Sequence, residues 1–325
     1  MNKIAFVFPG QGAQTVGMGS DFYDEKFPPS QTLYDMLGED VRRMSFEGSQ
    51  NELNKTINAQ PCLFAADLAA AWALGVHEIG ADGVAGFSLG EIPAMAFAGL
   101  IHNVNDAFEL VKFRAKTMQA CAEKNSGGMA AVMGLDTEAV AELCAKVDGT
   151  YPVNFNAPGQ IVVAFRTNAQ EEFLAVAKEA KARAILLKVS GAFHSPLMDE
   201  AATEMLEYLQ TVKFETPKIP IYSNVTGKPY PSQLSTGSKI EPVDSKIEPT
   251  ENPAELIARQ INSPVQWQAT IENMMNDGFG TFIEVGPGKT LTGLIKRIND
   301  EAKVFNVFDA ASLESVVAQL KNPTG

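Results

Sequence analysis

The sequence contains little cysteine, with three residues in 325 (Cys62, Cys121 and Cys144) and no CxxC motif. This sparse, odd set excludes a disulfide framework. It favours thiols that pack as small apolar side chains in a reducing compartment. A chain of this length predicts about two domains and can bury a core without disulfides or a metal ion. We therefore expect no metal site.

Positive charge and long apolar runs are also scarce. The 26 basic residues are outnumbered by 39 acidic ones, giving a formal net charge of −13. This balance argues against nucleic acid or an anionic membrane as a partner. The first apolar run ends at Pro9, and no segment approaches the roughly eighteen uninterrupted apolar residues of a membrane span. We therefore predict neither a signal peptide nor a membrane helix, and a cytoplasmic protein.

Short buried strands alternate with amphipathic helices along most of the chain, a pattern typical of a parallel α/β sheet. Apolar runs rich in strand-forming residues predict strands at 4–8, 84–87, 219–223, 281–285 and 304–307. Helical patterns predict helices at 60–74, 91–98, 105–122, 195–209, 255–259 and 265–277.

The middle of the chain follows a different order. Strands are predicted at 129–134, 153–156, 161–165 and 185–189. Helices are predicted at 137–147 and after Asn168, where Glu171 completes a capping-box pattern. The order βαββαβ is typical of a ferredoxin-like unit. We predict an inserted small domain over 125–193, with 1–124 and 194–325 forming a large α/β catalytic domain; one continuous sheet is the alternative. The Pro- and Ser-rich stretch 231–253, where SKIEP occurs twice, is interpreted as a surface loop.

The most informative motif is GFSLG at 86–90, which lies between a predicted strand and a predicted helix. This is the context of a nucleophile elbow, where Ser88 is exposed at a sharp turn and a glycine is needed on each side. The amide of Leu89 and the start of the helix can then stabilise a developing oxyanion. A tight turn without catalysis is the alternative interpretation.

A serine nucleophile needs a base, and the chain has three histidines. His77 lies at a helix end and His102 in a linker, whereas His194 follows a strand and precedes a helix that Ser195 could begin. Loops beside a sheet collect catalytic side chains, so His194 is the preferred base. Ordinary α/β-hydrolases have the order Ser…Asp…His with the histidine near the C-terminus. Here no histidine follows His194, and the predicted insertion separates it from Ser88, so a plain esterase is disfavoured.

Two further glycine-rich turns follow predicted strands. The turn FPGQG at 8–12 lacks the third glycine of a dinucleotide fingerprint, but it could lend the amide of Gln11 to an oxyanion hole. The turn GPGKT at 286–290 is not a Walker A motif, because that motif needs a glycine where Ile283 stands.

Five ordered segments together resemble malonyl-CoA:acyl carrier protein transacylases of fatty acid and polyketide synthesis: FPGQGAQ, the GFSLGE elbow, VSGAFHSPLM, NSPVQW and EVGPGKTLTGLIK. The resemblance extends from residue 4 to about residue 298. It implies a hydrolase-like α/β core with a ferredoxin-like insertion and an active site in the cleft between them. It also implies transfer of malonyl from malonyl-CoA to the phosphopantetheine thiol of acyl carrier protein, through an acyl-serine and without a bound cofactor. A monomer supplying fatty acid synthesis is expected; a polyketide acyltransferase, a serine thioesterase or hydrolase, and a non-catalytic carrier-binding module are the alternatives.

Within that resemblance, Ser88 matches the nucleophile and His194 its base, which the family orients largely by backbone carbonyls. Gln11 and Leu89 match the amide donors of the oxyanion hole, and Arg114 matches the arginine that binds the malonyl carboxylate. A guanidinium suits that role because it pairs with a carboxylate through two parallel hydrogen bonds. Further matches to residues that line the family's substrate site are Gln260, Asn156 and Gln160.

The sequence departs from the family pattern at a few positions. Phe87 precedes the nucleophile where histidine is common, which makes the pocket edge more apolar. The net charge raises another question, because acyl carrier proteins are themselves acidic. Two acidic partners should repel unless basic residues cluster near the cleft. We predict a docking patch drawn from Lys188, Lys289, Lys296 and Arg297.

Overall fold

The larger sheet is built from the apolar runs near the two ends of the chain. The protein is represented by a computed structural model that describes residues 3–231 and 252–321. Five parallel strands have the order β7-β2-β1-β8-β9. Their side chains are mostly buried, which explains why they read as continuous apolar segments rather than alternating ones. Their bounds are β1 Lys3–Phe8, β2 Gly83–Gly86, β7 Ile221–Tyr222, β8 Phe279–Val285 and β9 Lys303–Val307.

Helices cover this sheet, and those with clear apolar periodicity match the predictions to within a few residues. The predicted ones are α4 Thr56–Val76, α5 Glu91–Ala98, α6 Val104–Lys124, α9 Asp199–Leu209, α10 Pro253–Arg259 and α11 Trp267–Asn276. Helices that the sequence did not predict are α1 Pro28–Leu37, α2 Glu39–Glu47, α3 Gln50–Leu53, α12 Thr290–Ile298 and α13 Ala310–Lys321.

Helix α4 is the central helix of the core. Among the described residues it is the one helix long and apolar enough to cross a membrane, but most of its length is buried inside the protein. It packs against α1, α2, α5 and α6. Its all-round apolar surface is therefore explained by burial on every side.

The middle of the chain forms a separate antiparallel sheet. Four strands have the order β4-β5-β3-β6, with α7 Thr137–Lys146 after the first strand and α8 Gln170–Glu179 after the third in chain order. The strand bounds are β3 Gly127–Met133, β4 Thr150–Ala157, β5 Gln160–Arg166 and β6 Arg183–Leu186. Both helices pack on the sheet around a cluster of their own that includes Val132, Val140, Phe165 and Phe173. The division into two domains stays a prediction.

One local prediction in this region is wrong. Asn168 does not cap α8: it lies inside a 3-10 turn, Thr167–Ala169, and the helix begins at Gln170 without a side-chain cap. The turn places Glu171 at the second helical residue, so the three-residue spacing of a capping box is not available. Residues 232–251 of the predicted surface loop lie outside the described residues.

The carboxyl ends of the central strands lie together and define the position of the site. Phe8 at the end of β1 is paired in register with Gly86 at the end of β2. The backbone N–H of Phe87 then donates to the Phe8 carbonyl at 2.9 Å. The glycine-rich turns that follow β1, β2 and β8 therefore meet at one edge of the sheet, where parallel α/β folds bind ligands.

Candidate active site

The turn after β2 has the geometry of a nucleophile elbow. Ser88 has a φ of 53°, in the left-handed region that costs an ordinary residue free energy. A Cβ at Gly86 would lie 2.0 Å from backbone atoms of Gly90, and one at Gly90 would lie 2.1 Å from the Phe8 carbonyl oxygen. Side chains cannot be accommodated at these two positions, so the glycines on either side of Ser88 are required by the close approach of the backbone.

His194 contacts the hydroxyl of Ser88 directly. Its Nε2 lies 2.7 Å from Ser88 Oγ, and its Nδ1 lies 2.8 Å from the carbonyl oxygen of Gln260. A proton on Nδ1 donates to that carbonyl, which leaves Nε2 as the acceptor for the serine proton. The backbone N–H of His194 also donates to Ile261 O at 3.1 Å. The imidazole is thus oriented by a backbone carbonyl rather than by a carboxylate.

The environment keeps His194 neutral. Burial, and then the nearby Arg114 cation, lower its pKa to about 4, while the hydrogen bond to Gln260 opposes the shift. The side chain is 3% exposed. At neutral pH the imidazole is therefore unprotonated, the form that can accept the proton of Ser88.

Arg114 lies on α6 with its guanidinium beside the hydroxyl of Ser88. It is 1% exposed; Nη1 donates to Gln60 Oε1 at 2.8 Å, and Nη2 donates to Gln260 Oε1 at 2.8 Å and to Ser88 Oγ at 3.2 Å. Its Nε has no acceptor within residues 3–231 and 252–321. Burial lowers the pKa of Arg114 to about 10, with the charge of Glu91 opposing, so the group stays cationic at neutral pH.

The turn after β1 packs against the elbow. A Cβ at Gly10 would lie 2.3 Å from the carbonyl oxygen of Phe87, so the backbone before Gln11 runs directly beside Ser88. The Gln11 side chain is directed elsewhere, with Nε2 donating to Thr56 Oγ1 at 3.1 Å. In the described part of the chain, the backbone N–H of Gln11 has no hydrogen-bond acceptor. The assignment of the Gln11 and Leu89 amides to an oxyanion hole stays a prediction.

Three of the predicted site residues lie in different surroundings. Gln260 belongs to the site, with Nε2 donating to Ser88 O at 2.7 Å and to Glu91 Oε2 at 2.6 Å. Asn156 is buried on β4, and its Oδ1 lacks a partner among the described residues. Gln160 accepts a hydrogen bond from Arg297 at 3.2 Å. Hydrogen bonds connect neither Asn156 nor Gln160 to Ser88 in the described chain, and their substrate-binding role stays a prediction.

The structure adds residues that motif reading did not single out. Asn224 Oδ1 accepts from the backbone N–H of Ser88 at 2.7 Å, and its Nδ2 donates to the Gly86 carbonyl. Glu91, fully buried at the start of α5, accepts from Tyr230 and Gln260. A carboxylate directly after a GxSxG turn was a usable signal for Glu91. Nothing local to Asn224 indicated its contact with the elbow.

The predicted docking residues are all exposed, but they differ in their contacts. Lys188 and Lys289 are exposed, and Lys289 Nζ lies 5.5 Å from the ring centre of Phe308. Lys296 instead donates to the backbone carbonyls of Asp300 and Ala302, while Arg297 donates to Pro158 O at 3.1 Å.

This site, a serine in an elbow turn in contact with a histidine and a buried arginine, agrees with the comparison with known families. The model of the acyl transferase domain matches residues 5–322. The chain belongs to the acyl transferase domain family.

Individual relatives of this acyl transferase cover nearly its whole length. The malonyl CoA-acyl carrier protein transacylase of Haemophilus influenzae is 38% identical over 97% of this chain and 98% of its own. A crystal structure of the enzyme of that name from Clostridium perfringens has a TM-score of 0.89 at 35% identity, covering 98% and 97% of the two chains. A structure of a malonyl-transacylase in complex with a type II polyketide-synthase acyl carrier protein has a TM-score of 0.84 at 34% identity, covering 98% of this chain and 99% of that one.

Proposed function

We propose that this acyl transferase moves a malonyl group from malonyl-CoA to the phosphopantetheine thiol of acyl carrier protein through an acyl-Ser88 intermediate. The observation that carries the proposal is the buried guanidinium of Arg114, 3.2 Å from the hydroxyl of Ser88, which in turn lies 2.7 Å from His194. A cation this close to the nucleophile suits an acyl group that ends in a carboxylate. The names of the relatives agree with that substrate.

The first half of the reaction forms the acyl-serine. Ser88 Oγ attacks the thioester carbonyl carbon while His194 Nε2 takes the hydroxyl proton. The oxyanion of the tetrahedral intermediate is stabilised by the backbone N–H groups of Gln11 and Leu89. The C–S bond then breaks, and the sulfur of CoA receives the proton from His194. In the second half, the phosphopantetheine thiol gives its proton to His194 and attacks the acyl-serine, and Ser88 Oγ leaves with that proton.

Acyl selectivity follows from desolvation at Arg114. A malonyl carboxylate can accept hydrogen bonds from the guanidinium, including from the Nε that lacks an acceptor in the described chain. An acetyl group cannot, so binding it would leave the buried cation without an anionic partner. Asn156 and Gln160 complete the substrate site in this proposal, with malonyl-CoA as substrate and no bound cofactor.

An acyl carrier protein is the partner in this proposal, and the complex formed by a structural relative supports it. We place its docking surface at Lys188, Lys289, Lys296 and Arg297, all of which are exposed. The small sheet with α7 and α8 would be a ferredoxin-like domain over 125–193, inserted into a hydrolase-like α/β domain. A cytoplasmic monomer that does not bind nucleic acid or membranes stays a prediction.

The direct test is mass spectrometry of the protein after exposure to malonyl-CoA. The expected result is a malonyl adduct on Ser88 that disappears when holo acyl carrier protein is added and reappears on the carrier thiol. A Ser88 that stays unlabelled would overturn the proposal. Rapid loss of malonyl to water without carrier loading would instead show a serine hydrolase. Carriers of fatty acid and of polyketide synthesis, tested in parallel with malonyl-, methylmalonyl- and acetyl-CoA, separate the two pathways.

A further inference from the structure

Beneath the elbow lies a buried carboxylate that the reaction steps above do not use. Glu91 is the first residue of α5 and is fully buried. Its Oε1 accepts from the Tyr230 hydroxyl at 2.7 Å and from the backbone N–H of Asn224 at 3.3 Å, and its Oε2 accepts from Gln260 Nε2 at 2.6 Å. A buried carboxylate is costly unless it is hydrogen-bonded and faces positive charge. The position of Glu91 therefore calls for an explanation beyond packing.

The carboxylate determines which way the Gln260 amide points. A carboxylate can only accept hydrogen bonds, so it fixes the NH2 group of Gln260 on its own side. The carbonyl oxygen Oε1 of that amide is then turned toward Arg114 Nη2, at 2.8 Å. With the amide reversed, an NH2 group would face the guanidinium, and both groups would be donors.

Glu91 also supplies negative charge near the buried cation of Arg114. Of the described residues, Glu91 is the anion whose charge raises the pKa of Arg114 against the effect of burial. No salt bridge to Arg114 is formed within the described chain, so the two charges interact through the Gln260 amide. Burial raises the pKa of Glu91 to about 7, while the hydrogen bonds from Tyr230 and Gln260 and the charge of Arg114 favour its ionised form.

We propose that Glu91 is a positioning residue for acyl selectivity: through the Gln260 amide it holds the Arg114 guanidinium in place and balances its charge, so that the carboxylate of the incoming acyl group meets an oriented cation. The inference rests on the proposed malonyl transfer. Glu91 does not touch the reacting atoms, and chemistry at Ser88 and His194 does not require its charge. Its loss should therefore affect a carboxylated acyl group far more than an uncharged one.

The test compares malonyl-CoA with acetyl-CoA as acyl donor at pH 8, where the carboxylate form of Glu91 predominates. The variant E91Q keeps the size of the side chain but removes the charge and the acceptor-only character. We expect its kcat/KM for malonyl-CoA to fall roughly tenfold or more, in the range of one lost charged hydrogen bond, and that for acetyl-CoA to change little. The variant E138Q is the matched control, because it makes the same change at an exposed glutamate in the first turn of α7. Its malonyl-to-acetyl ratio should stay near that of the unaltered protein.

Each alternative outcome has a distinct meaning. An unchanged malonyl-to-acetyl ratio in E91Q would overturn the inference. An equal fall for both donors would also overturn it, because that result describes a structural role only. If the unaltered protein formed no malonyl-serine at all, the proposed function itself would fail. That failure is seen without any variant, so it is distinguishable from a failure of the inference about Glu91.

Discussion

At the scale of single residues, the proposed function makes malonyl selectivity depend on Arg114. The variant R114A removes both the cation and its hydrogen bonds to Gln60, Gln260 and Ser88. We expect kcat/KM for malonyl-CoA to fall by about 100-fold, the effect of roughly 3 kcal/mol of lost charged hydrogen bonding, and acetyl transfer to fall much less. Competition between the two donors for Ser88, read by mass spectrometry, measures the ratio. A preference for malonyl that persisted in R114A would show that another group binds the carboxylate.

The acid limit of activity is a second property of the site. Because burial and Arg114 hold the pKa of His194 at about 4, its imidazole stays neutral down to mildly acidic pH. Acylation of Ser88 should therefore rise with pH through about 4 and should not show the limb near 6.5 of an ordinary histidine. Single-turnover labelling by acetyl-CoA avoids any contribution from the acyl carboxylate.

Arg114 provides the control for that pH profile. Its positive charge lowers the pKa of His194, so R114A should move the acid limb of acetyl labelling to higher pH. A limb that stayed in place would show that burial alone sets the pKa. A limb near 6.5 in the unaltered protein would contradict the burial of His194.

Sequence reasoning singled out Ser88 and His194, which the structure brings into contact, but not the groups that surround them. Ser88 and His194 belong to local motifs whose glycine, proline and strand context restricts their geometry. Asn224 contacts Ser88 from 136 positions away, and Tyr230 contacts Glu91 from 139 positions away. Such contacts depend on how β7 and α5 come together, which no local pattern encodes.

At the scale of elements, the elbow after β2 depends on glycine at two positions. In G86A the new Cβ would lie 2.0 Å from the backbone of Gly90, which has no room to move because it packs on β1. We expect a loss of stability of several kcal/mol, at least about 3, and loss of Ser88 labelling. Urea denaturation followed by circular dichroism measures the first effect.

The same substitution at Gly75 is the control. Gly75 lies near the end of α4, and a Cβ there meets nothing within 4 Å. Alanine favours the helix over glycine by about 0.5–1 kcal/mol, so G75A should be slightly stabilising. If G86A were as stable as G75A, the close approach at the elbow would not constrain the turn.

Element boundaries were predictable where packing and periodicity agree. The strands of both sheets and helices α4–α7 and α9–α11 follow from buried apolar runs or amphipathic spacing. Helix α2 was missed because it is rich in charged residues and is held by its contacts with α1 and α4. Helix α12 begins directly after GPGK, and the glycine-rich turn concealed its start. The failed capping box at Asn168 shows that spacing alone does not decide a helix start when a 3-10 turn competes.

At the scale of the whole molecule, a buried acid couples stability to pH. Asp67 is fully buried on α4, and neither of its oxygens has a partner in the described chain. Burial, and then the charge of Glu284, raise its pKa well above the usual value. The folded state thus binds a proton that the unfolded state releases above about pH 4. The contribution of Asp67 to the free energy of unfolding is fully present below that pH. It is lost as the pH rises toward the pKa that Asp67 has in the folded state.

The variant D67N removes this dependence. We expect it to be more stable than the unaltered protein at pH 8, by at least about 1 kcal/mol, and similar to it near pH 4. The control is D40N, since Asp40 is 98% exposed and should change little at either pH. Urea unfolding at the two pH values measures the difference. If D67N lost stability at pH 8, Asp67 would be ionised and held by partners that the described contacts do not contain.

A protein with a net charge of −13 should repel an acidic carrier, so binding such a carrier would depend on where the basic residues lie. Lys296 and Arg297 donate hydrogen bonds to backbone carbonyls. Reversing their charge would therefore disturb the structure around α12 as well as the binding of any partner. Lys188 and Lys289 are the cleaner probes, because both are exposed and Lys289 lies in the turn after β8, at the edge of the sheet that carries Ser88. The double variant K188E/K289E should raise the KM for an acidic carrier about tenfold at low salt, and the effect should shrink as salt screens the charges.

The matched control places a charge reversal at the opposite edge of the same sheet. Lys218 is exposed and lies just before β7, and its backbone N–H donates to Ala98 at the end of α5, away from the elbow. Total charge changes by −2 in K218E and by −4 in K188E/K289E, so the single variants K188E and K289E are compared with K218E one at a time. Local docking predicts a higher carrier KM in the first two and an unchanged KM in K218E. Equal increases in all three would mean that the carrier responds to the total charge, and that its docking surface lies elsewhere.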